Sequence, residues 1–189
     1  SEATYAQNLD VNSQDGIPCG IAFNADGSKM FVVGNIGTDI NEYALSTVFD
    51  VSSASFTDSF SVSSQETDPR DIAFNADGTK MYVVGPAGSD VNQYTLSTGF
   101  DVSSASYTQN FSVSSQETSP TGVAFNTDGT KMFILGDTGN DVNEYALSTG
   151  FDVSTASYTR NFDVSSQASN LRAGLTFNTD GTKMFIVDS

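Results

Sequence analysis

The sequence predicts an all-β protein assembled from four-stranded antiparallel units that repeat around an axis. Three observations carry that prediction. A phrase of the type Phe-Asn-x-Asp-Gly-(Ser/Thr)-Lys-Met-(Phe/Tyr) occurs four times, starting at Phe23, Phe74, Phe125 and Phe177, with spacings of 51, 51 and 52 residues. A fixed period of that size marks stacked or radially arranged supersecondary units. The Asp-Gly pair inside the phrase is a hairpin signal, because glycine accepts positive φ where the chain reverses. Finally, each period holds four segments of strand length and strand composition, separated by turn residues.

Within one period the first strand, Gly122-Val-Ala-Phe-Asn126 and its equivalents, reads as short and buried. Asp77-Gly78 turns the chain into the second strand, Lys80-Met-Tyr-Val-Val84, whose unbroken apolar run suits a strand covered on both faces. Gly85–Ser89 is a loop by its Gly and Pro content. Asp90–Leu96 is the third strand. In the connector Ser97–Ser104, Asp101 is expected to bond the backbone two residues on as an Asx-turn, and Phe100 to anchor the connector to the core. The fourth strand, Tyr107–Val113, places Tyr107, Phe111 and Val113 on one face and Thr108, Asn110 and Ser112 on the other, as a half-buried edge strand requires.

Four strands per period of this length predict the blades of a β-propeller. The chain is out of phase with its repeat. It opens in a strand of the fourth type at 3–13, passes through blades at approximately 17–64, 68–115 and 119–166, and reaches the first two strands of a partial blade at 171–189. A fourth-type strand from the N-terminal side that completes the last blade is the usual closure of such a ring. Here the third strand of that blade would lie between the two ends, leaving an edge that natural folds normally cover. Two arrangements follow, a longer propeller of which this is part, or a homodimer whose shared blades complete a ring of about eight. A lone four-bladed ring is a third.

The phrase Phe-Asn-x-Asp-Gly-Thr-Lys-Met-(Phe/Tyr)-(Val/Ile) resembles the core of the YVTN-type and WD40-like repeat propellers, and the Gly-x-Asp-Val-Asn-Glu-Tyr stretch is similar to the segment that follows it there. The resemblance covers about half of each repeat. It departs at Asn24, Asn75, Asn126 and Asn178, which stand near the family's proline. The Tyr-Val-Thr-Asn tetrad is absent, and the Phe-Asp-Val-Ser-Ser connector lengthens the unit. The resemblance implies blade architecture and, more often than an enzyme, a secreted or surface binding scaffold.

Composition narrows the function classes. The formal net charge of −16 and pI near 4.1 repel phosphate backbones, so neither a nucleic acid nor an anionic membrane is an expected partner. No apolar run is long enough to span a bilayer. Cys19 is the single cysteine and histidine is absent. Ser-His, Cys-His and His-metal constellations are therefore excluded, and carboxylate chemistry is what remains. The Asn-x-Asp-Gly-(Ser/Thr) phrase offers too few ligands for a calcium loop and fits a tight hairpin, so no metal or cofactor is expected.

Comparison of the repeats with one another locates variation in two loop sets. These are the loops between second and third strands (Asn35–Thr38, Pro86–Ser89, Asp137–Asn140) and those leading to the next first strand (Asp15–Pro18, Glu66–Pro69, Glu117–Pro120, Ala168–Leu171). Both sets are expected on one face, and loops on a rigid scaffold are where binding usually resides. Asp68, Arg70 and Glu117 are its most distinctive polar members, with Asp39, Asp90 and Asp141 beside them; none is assigned a catalytic role. The expected function is non-enzymatic recognition of a glycan or protein partner at an extracellular, cell or virion surface. The alternatives are a structural repeat module without a small ligand and a carboxylate-based hydrolase.

Overall fold

The hairpin phrase explains itself atom by atom. In the computed structural model, which describes residues 4–168, 170–171 and 173–187, Asn24 Oδ1 accepts the Lys29 amide at 2.9 Å. Asp26 Oδ1 accepts both the Ser28 amide, at 2.9 Å, and the Ser28 hydroxyl, at 2.6 Å. The same bonds recur around Asp77, Asp128 and Asp180. Asn, Asp and Ser/Thr thus satisfy the turn's own backbone, which is why the phrase is invariant among the repeats.

Each hairpin joins the first two strands of an antiparallel blade. The first blade is β1 (Pro18–Phe23), β2 (Lys29–Gly34), β3 (Asp39–Leu45) and β4 (Ala54–Ser61). The second is β5 (Asp71–Phe74), β6 (Lys80–Gly85), β7 (Asp90–Leu96) and β8 (Ala105–Ser112). The third is β9 (Pro120–Phe125), β10 (Lys131–Gly136), β11 (Asp141–Leu147) and β12 (Ala156–Asp163). A fourth sheet contains β13 (Ala173–Phe177) and β14 (Met184–Val187). Strand order follows chain order in every sheet. This is a β-propeller of three full blades and a split, incomplete fourth.

The apolar second strands of the three complete blades are buried on both faces because blades stack face to face. Phe31, Val33 and Ile40 of the first blade pack against Ile72, Met81, Val83, Tyr94 and Val102 of the second. Tyr82, Val84 and Val91 meet Val123, Met132, Ile134, Tyr145 and Val153 in the same way. The innermost strands β1, β5, β9 and β13 run side by side around one axis, and β13 approaches β1 as well as β9.

The connectors behave as anchors. Asp101 accepts the Ser103 amide at 3.1 Å and caps a 3-10 turn at Val102–Ser104, with matching turns behind Asp50 and Asp152. Phe100 lies over Gly78 and packs beside Phe31 and Phe74 of two blades, at ring distances of 6.2 and 5.4 Å.

Two expectations are corrected. The simple alternation of Tyr107–Val113 is broken by a bulge. Tyr94 pairs with Tyr107 but Gln93 pairs with Gln109, so Thr108 is extra and Tyr107 leaves the face of Phe111 and Val113. Phe111 turns to Tyr145 of the next blade, while Tyr107 stays on Tyr94 of its own. The predicted strand at 3–13 is also not one: residues 4–11 make no ladder, for among the described residues no third strand lies beside them. They nevertheless follow the course of a fourth strand. Gln7 donates to Asp50 Oδ1 at 2.6 Å as Gln109 does to Asp152 Oδ1 at 2.6 Å, and Leu9 and Val11 pack near Met30 and Val32.

Candidate active site

The two variable loop sets meet on one face, and in each of the three complete blades a buried carboxylate fastens them together. Glu66 accepts the Asp68 amide at 2.7 Å and the Gly88 amide at 3.1 Å. Glu117 accepts those of Ser119 (2.6 Å), Thr138 (3.3 Å) and Gly139 (2.9 Å). Asp15 does the same for Ile17 and Gly37. Glu117 is 1% exposed and fully engaged by backbone donors, so it builds the face rather than presenting itself on it.

Asp39, Asp90 and Asp141 open the third strands of three different blades. Asp90 holds Asn92 at 2.7 Å and also the Asn110 amide across the sheet; Asp141 holds Asn143 and Asn161, both at 2.6 Å. Asp39 holds Asn41 at 2.7 Å, and burial pushes its carboxyl above the usual range, partly offset by that bond. The three do not come together; Asp90 and Asp141 each pin a third strand to the fourth, while Asp39 bonds within its own strand.

Asp68 and Arg70 are brought together, and they break the repeat. Asp68 Oδ2 pairs with Arg70 Nη2 at 2.8 Å, while its other oxygen accepts the Asn35 side-chain amide from the first blade. Arg70 Nε is buried and has no hydrogen-bond partner. A donor left unmade in this way costs about 1–3 kcal/mol, more when charged, and the guanidinium also interacts with the Cys19 thiol. The Arg70 side chain borders a cavity of about 220 Å³, which Asp68, Pro86, Ser119, Thr121 and Asp137 also line, between the second and third blades. Arg70 corresponds in the repeat to Cys19 and Thr121. Burial pushes the Cys19 thiol up, with Arg70 opposing the shift.

Beside Arg70 is a residue that the sequence reading passed over. Asp71 stands where the other repeats have Gly20, Gly122 and Gly174. Its Oδ1 accepts the Ile72 amide and its Oδ2 the Val123 amide of the next blade, both at 2.9 Å. Burial pushes its carboxyl up to about 7, against the two amides. The signal was present in the sequence, as the one carboxylate at an otherwise glycine position of the innermost strands.

No protein-family model matches the chain, and no curated protein matches it. Solved structures do. The chain superposes with a TM-score of 0.63 at 12% identity on a candidate 6-phosphogluconolactonase from Bacteroides uniformis, over 90% of this chain and 47% of that one. It superposes with a TM-score of 0.64 at 13% identity on a protein from Lactobacillus plantarum, over 90% and 48%. The periplasmic gluconolactonase of Pseudomonas aeruginosa gives 0.52 at 14%, over 77% and 39%. The chain therefore spans about half the length of these relatives or less, and what they share with it is the fold. Structures bearing lactonase names populate this fold neighbourhood, and they overturn the expectation of a non-enzymatic recognition scaffold.

Proposed function

We propose that the chain carries a carboxylate-based hydrolase site that opens lactones of polyhydroxy acids. The observation behind this reading is the Asp68–Arg70 pair, which breaks the repeat and lines a cavity that Asp137 also lines. Ester hydrolysis needs a donor where charge develops on the carbonyl oxygen and a base for the attacking water. Arg70 supplies the donor, held in place by Asp68. Asp137 takes a proton from water as the water oxygen bonds to the carbonyl carbon. The tetrahedral intermediate then collapses, the ring C–O bond breaks, and the departing oxygen takes that proton back. One water is consumed and an open-chain hydroxy acid is released. The lactonase names of structures sharing the fold support this substrate class.

Net charge refines the substrate. A surface at −16 disfavours the approach of anions, so an uncharged lactone is expected to react faster than its 6-phosphorylated form. Proton release from glucono-δ-lactone, followed against its spontaneous opening at the same pH, tests the reading. Arg70→Ala and Asp137→Asn are each expected to lower kcat/KM by about 10²–10³. No acceleration by the unaltered chain on either lactone would sink the assignment.

A further inference from the structure

The innermost strands bring one repeat position together around the axis: Gly20 on β1, Asp71 on β5, Gly122 on β9 and Gly174 on β13. The space around Asp71 shows what its side chain does there. A Cβ on Gly20 would stand 2.8 Å from Asp71 Oδ1, and one on Gly174 would meet the same carboxylate at 3.8 and 3.9 Å. The carboxylate of the second blade therefore lies against the strands on either side of it. It is 6% exposed, and both oxygens are engaged, Oδ1 by the Ile72 amide and Oδ2 by the Val123 amide of the third blade. Away from bulk water, bonds from an amide to a charged acceptor are at their strongest.

This bond adjoins the cavity described above. Arg70 immediately precedes Asp71, and Thr121 stands two residues before Val123. One wall of the cavity is Asp68, Arg70 and Pro86 of the second blade, and the other is Ser119, Thr121 and Asp137 of the third. The Asp71–Val123 bond is the side-chain hydrogen bond that joins β5 to β9, the strands behind those walls. The same two blades are tied elsewhere at their loops, where Ser89 donates to the Thr118 carbonyl at 2.8 Å, and at the other end of β6, where Lys80 and Tyr82 reach the Phe151 carbonyl.

We infer that Asp71 is a positioning residue of the hydrolase site: its carboxylate clasps β5 to β9 and so sets the gap across which Arg70 and Asp137 meet one substrate carbonyl. The inference rests on the hydrolase reading and adds to it a residue that touches neither substrate nor water. Donor and base belong to different blades, so their spacing is only as good as the link between those blades, and a misplacement of about 1 Å can lower a rate about a hundredfold. The clasp also responds to pH. Burial raises the Asp71 carboxyl to about 7 against its two amides. The titratable groups on the strands around it are Cys19 on β1, Arg70 beside it, Lys29 on β2, which bonds Glu42 and the Phe100 carbonyl, and Lys80 and Tyr82 on β6; β9 and β13 carry none. The buried charge costs the fold stability, yet it strengthens the two amide bonds. The clasp thus tightens as pH rises through about 7.

Two variants test this on the intact chain with glucono-δ-lactone. Asp71→Gly restores the residue that the other three strands carry at this position, so the blade folds as its neighbours do; Asp71→Asn keeps the shape and cannot ionise. Asp71→Gly is expected to lower kcat by about 10- to 100-fold while KM changes by less than about twofold, and to quicken amide exchange at Val123 without substrate. The unaltered chain should show kcat/KM rising through about pH 7, a step absent from both variants. In an Arg70→Ala background, Asp71→Gly should lower kcat/KM by less than about twofold more, because the clasp acts through the placement of Arg70. A variant that keeps the unaltered kcat and pH step, or a loss of the same size with and without Arg70, overturns the inference and leaves the hydrolase reading standing. No lactone opening by the unaltered chain sinks the hydrolase reading itself, and the positioning role with it.

Discussion

Asp71 is where a single side chain changes the molecule's pH response. Its folded carboxyl titrates near 7, raised from an ordinary value of 3.8 by burial, so between those values the folded state holds a proton that the unfolded chain has released. Stability therefore falls as pH rises from about 4 to about 7 and is level above that, by an amount on the order of 1–4 kcal/mol. The hairpin aspartates act in a different window. Asp26, Asp77, Asp128 and Asp180 are held below the usual range by their Ser or Thr bonds, so their contribution is lost only as pH drops below about 4. Asp71→Asn should abolish the decline between pH 5 and pH 8, measured as urea midpoints at both. A variant retaining the wild-type slope would place its origin elsewhere. The candidate site was legible only in part. Arg70 and Asp68 stand out because they break the repeat, and so does Asp71, but an aspartate among glycines says nothing about burial until the axis is assembled. Glu117 misleads for the opposite reason: it sits in a variable loop, yet it keeps the carboxylate of Asp15 and Glu66 and three backbone amides consume it.

At the scale of elements, the hairpins carry a second constraint that the turn alone does not reveal. Gly78 has φ +70°, and a Cβ there would come within 2.2 Å of the Phe100 ring; Gly181 has φ +69° with nothing within 4 Å. Gly78→Ala thus incurs both left-handed strain, about 1–2 kcal/mol, and displacement of a connector anchor. Gly181→Ala incurs only the strain. Chemical denaturation of the two variants is expected to rank Gly78→Ala the less stable by more than about 1 kcal/mol; equal losses would show that the ring is free to move. The connector's Asx-turn and its aromatic anchor were legible, since both follow from local chemistry. The bulge at Thr108 was not, because a period-two pattern cannot register one inserted residue whose neighbours satisfy either face. Nor was the unpaired state of Tyr5–Val11. A strand's composition states what it can pair with, and pairing needs a partner beside it.

Over the whole molecule, architecture was the most legible property because it is written four times, and the same redundancy hides function, which resides in departures from the repeat. Charge acts at this scale too. With 23 acidic and 7 basic residues, folding concentrates negative charge, and among the described residues the ion pairs that relieve it, such as Lys29–Glu42 and the Lys131–Glu144–Arg160 group, are few. Self-repulsion of this kind is screened over about 10 Å at 0.1 M ionic strength. The thermal midpoint should accordingly rise with sodium chloride and level off above a few tenths molar. Calcium chloride offers a sharper comparison. The hairpin aspartates are already engaged by their own turn, and among the described residues no group of three or more carboxylates gathers to hold an ion. Calcium at matched ionic strength is therefore expected to raise the midpoint no further than sodium does. A larger, saturable rise with calcium would mean that carboxylates from neighbouring blades converge on an ion, and that acidity in this chain is a binding property rather than a diffuse field.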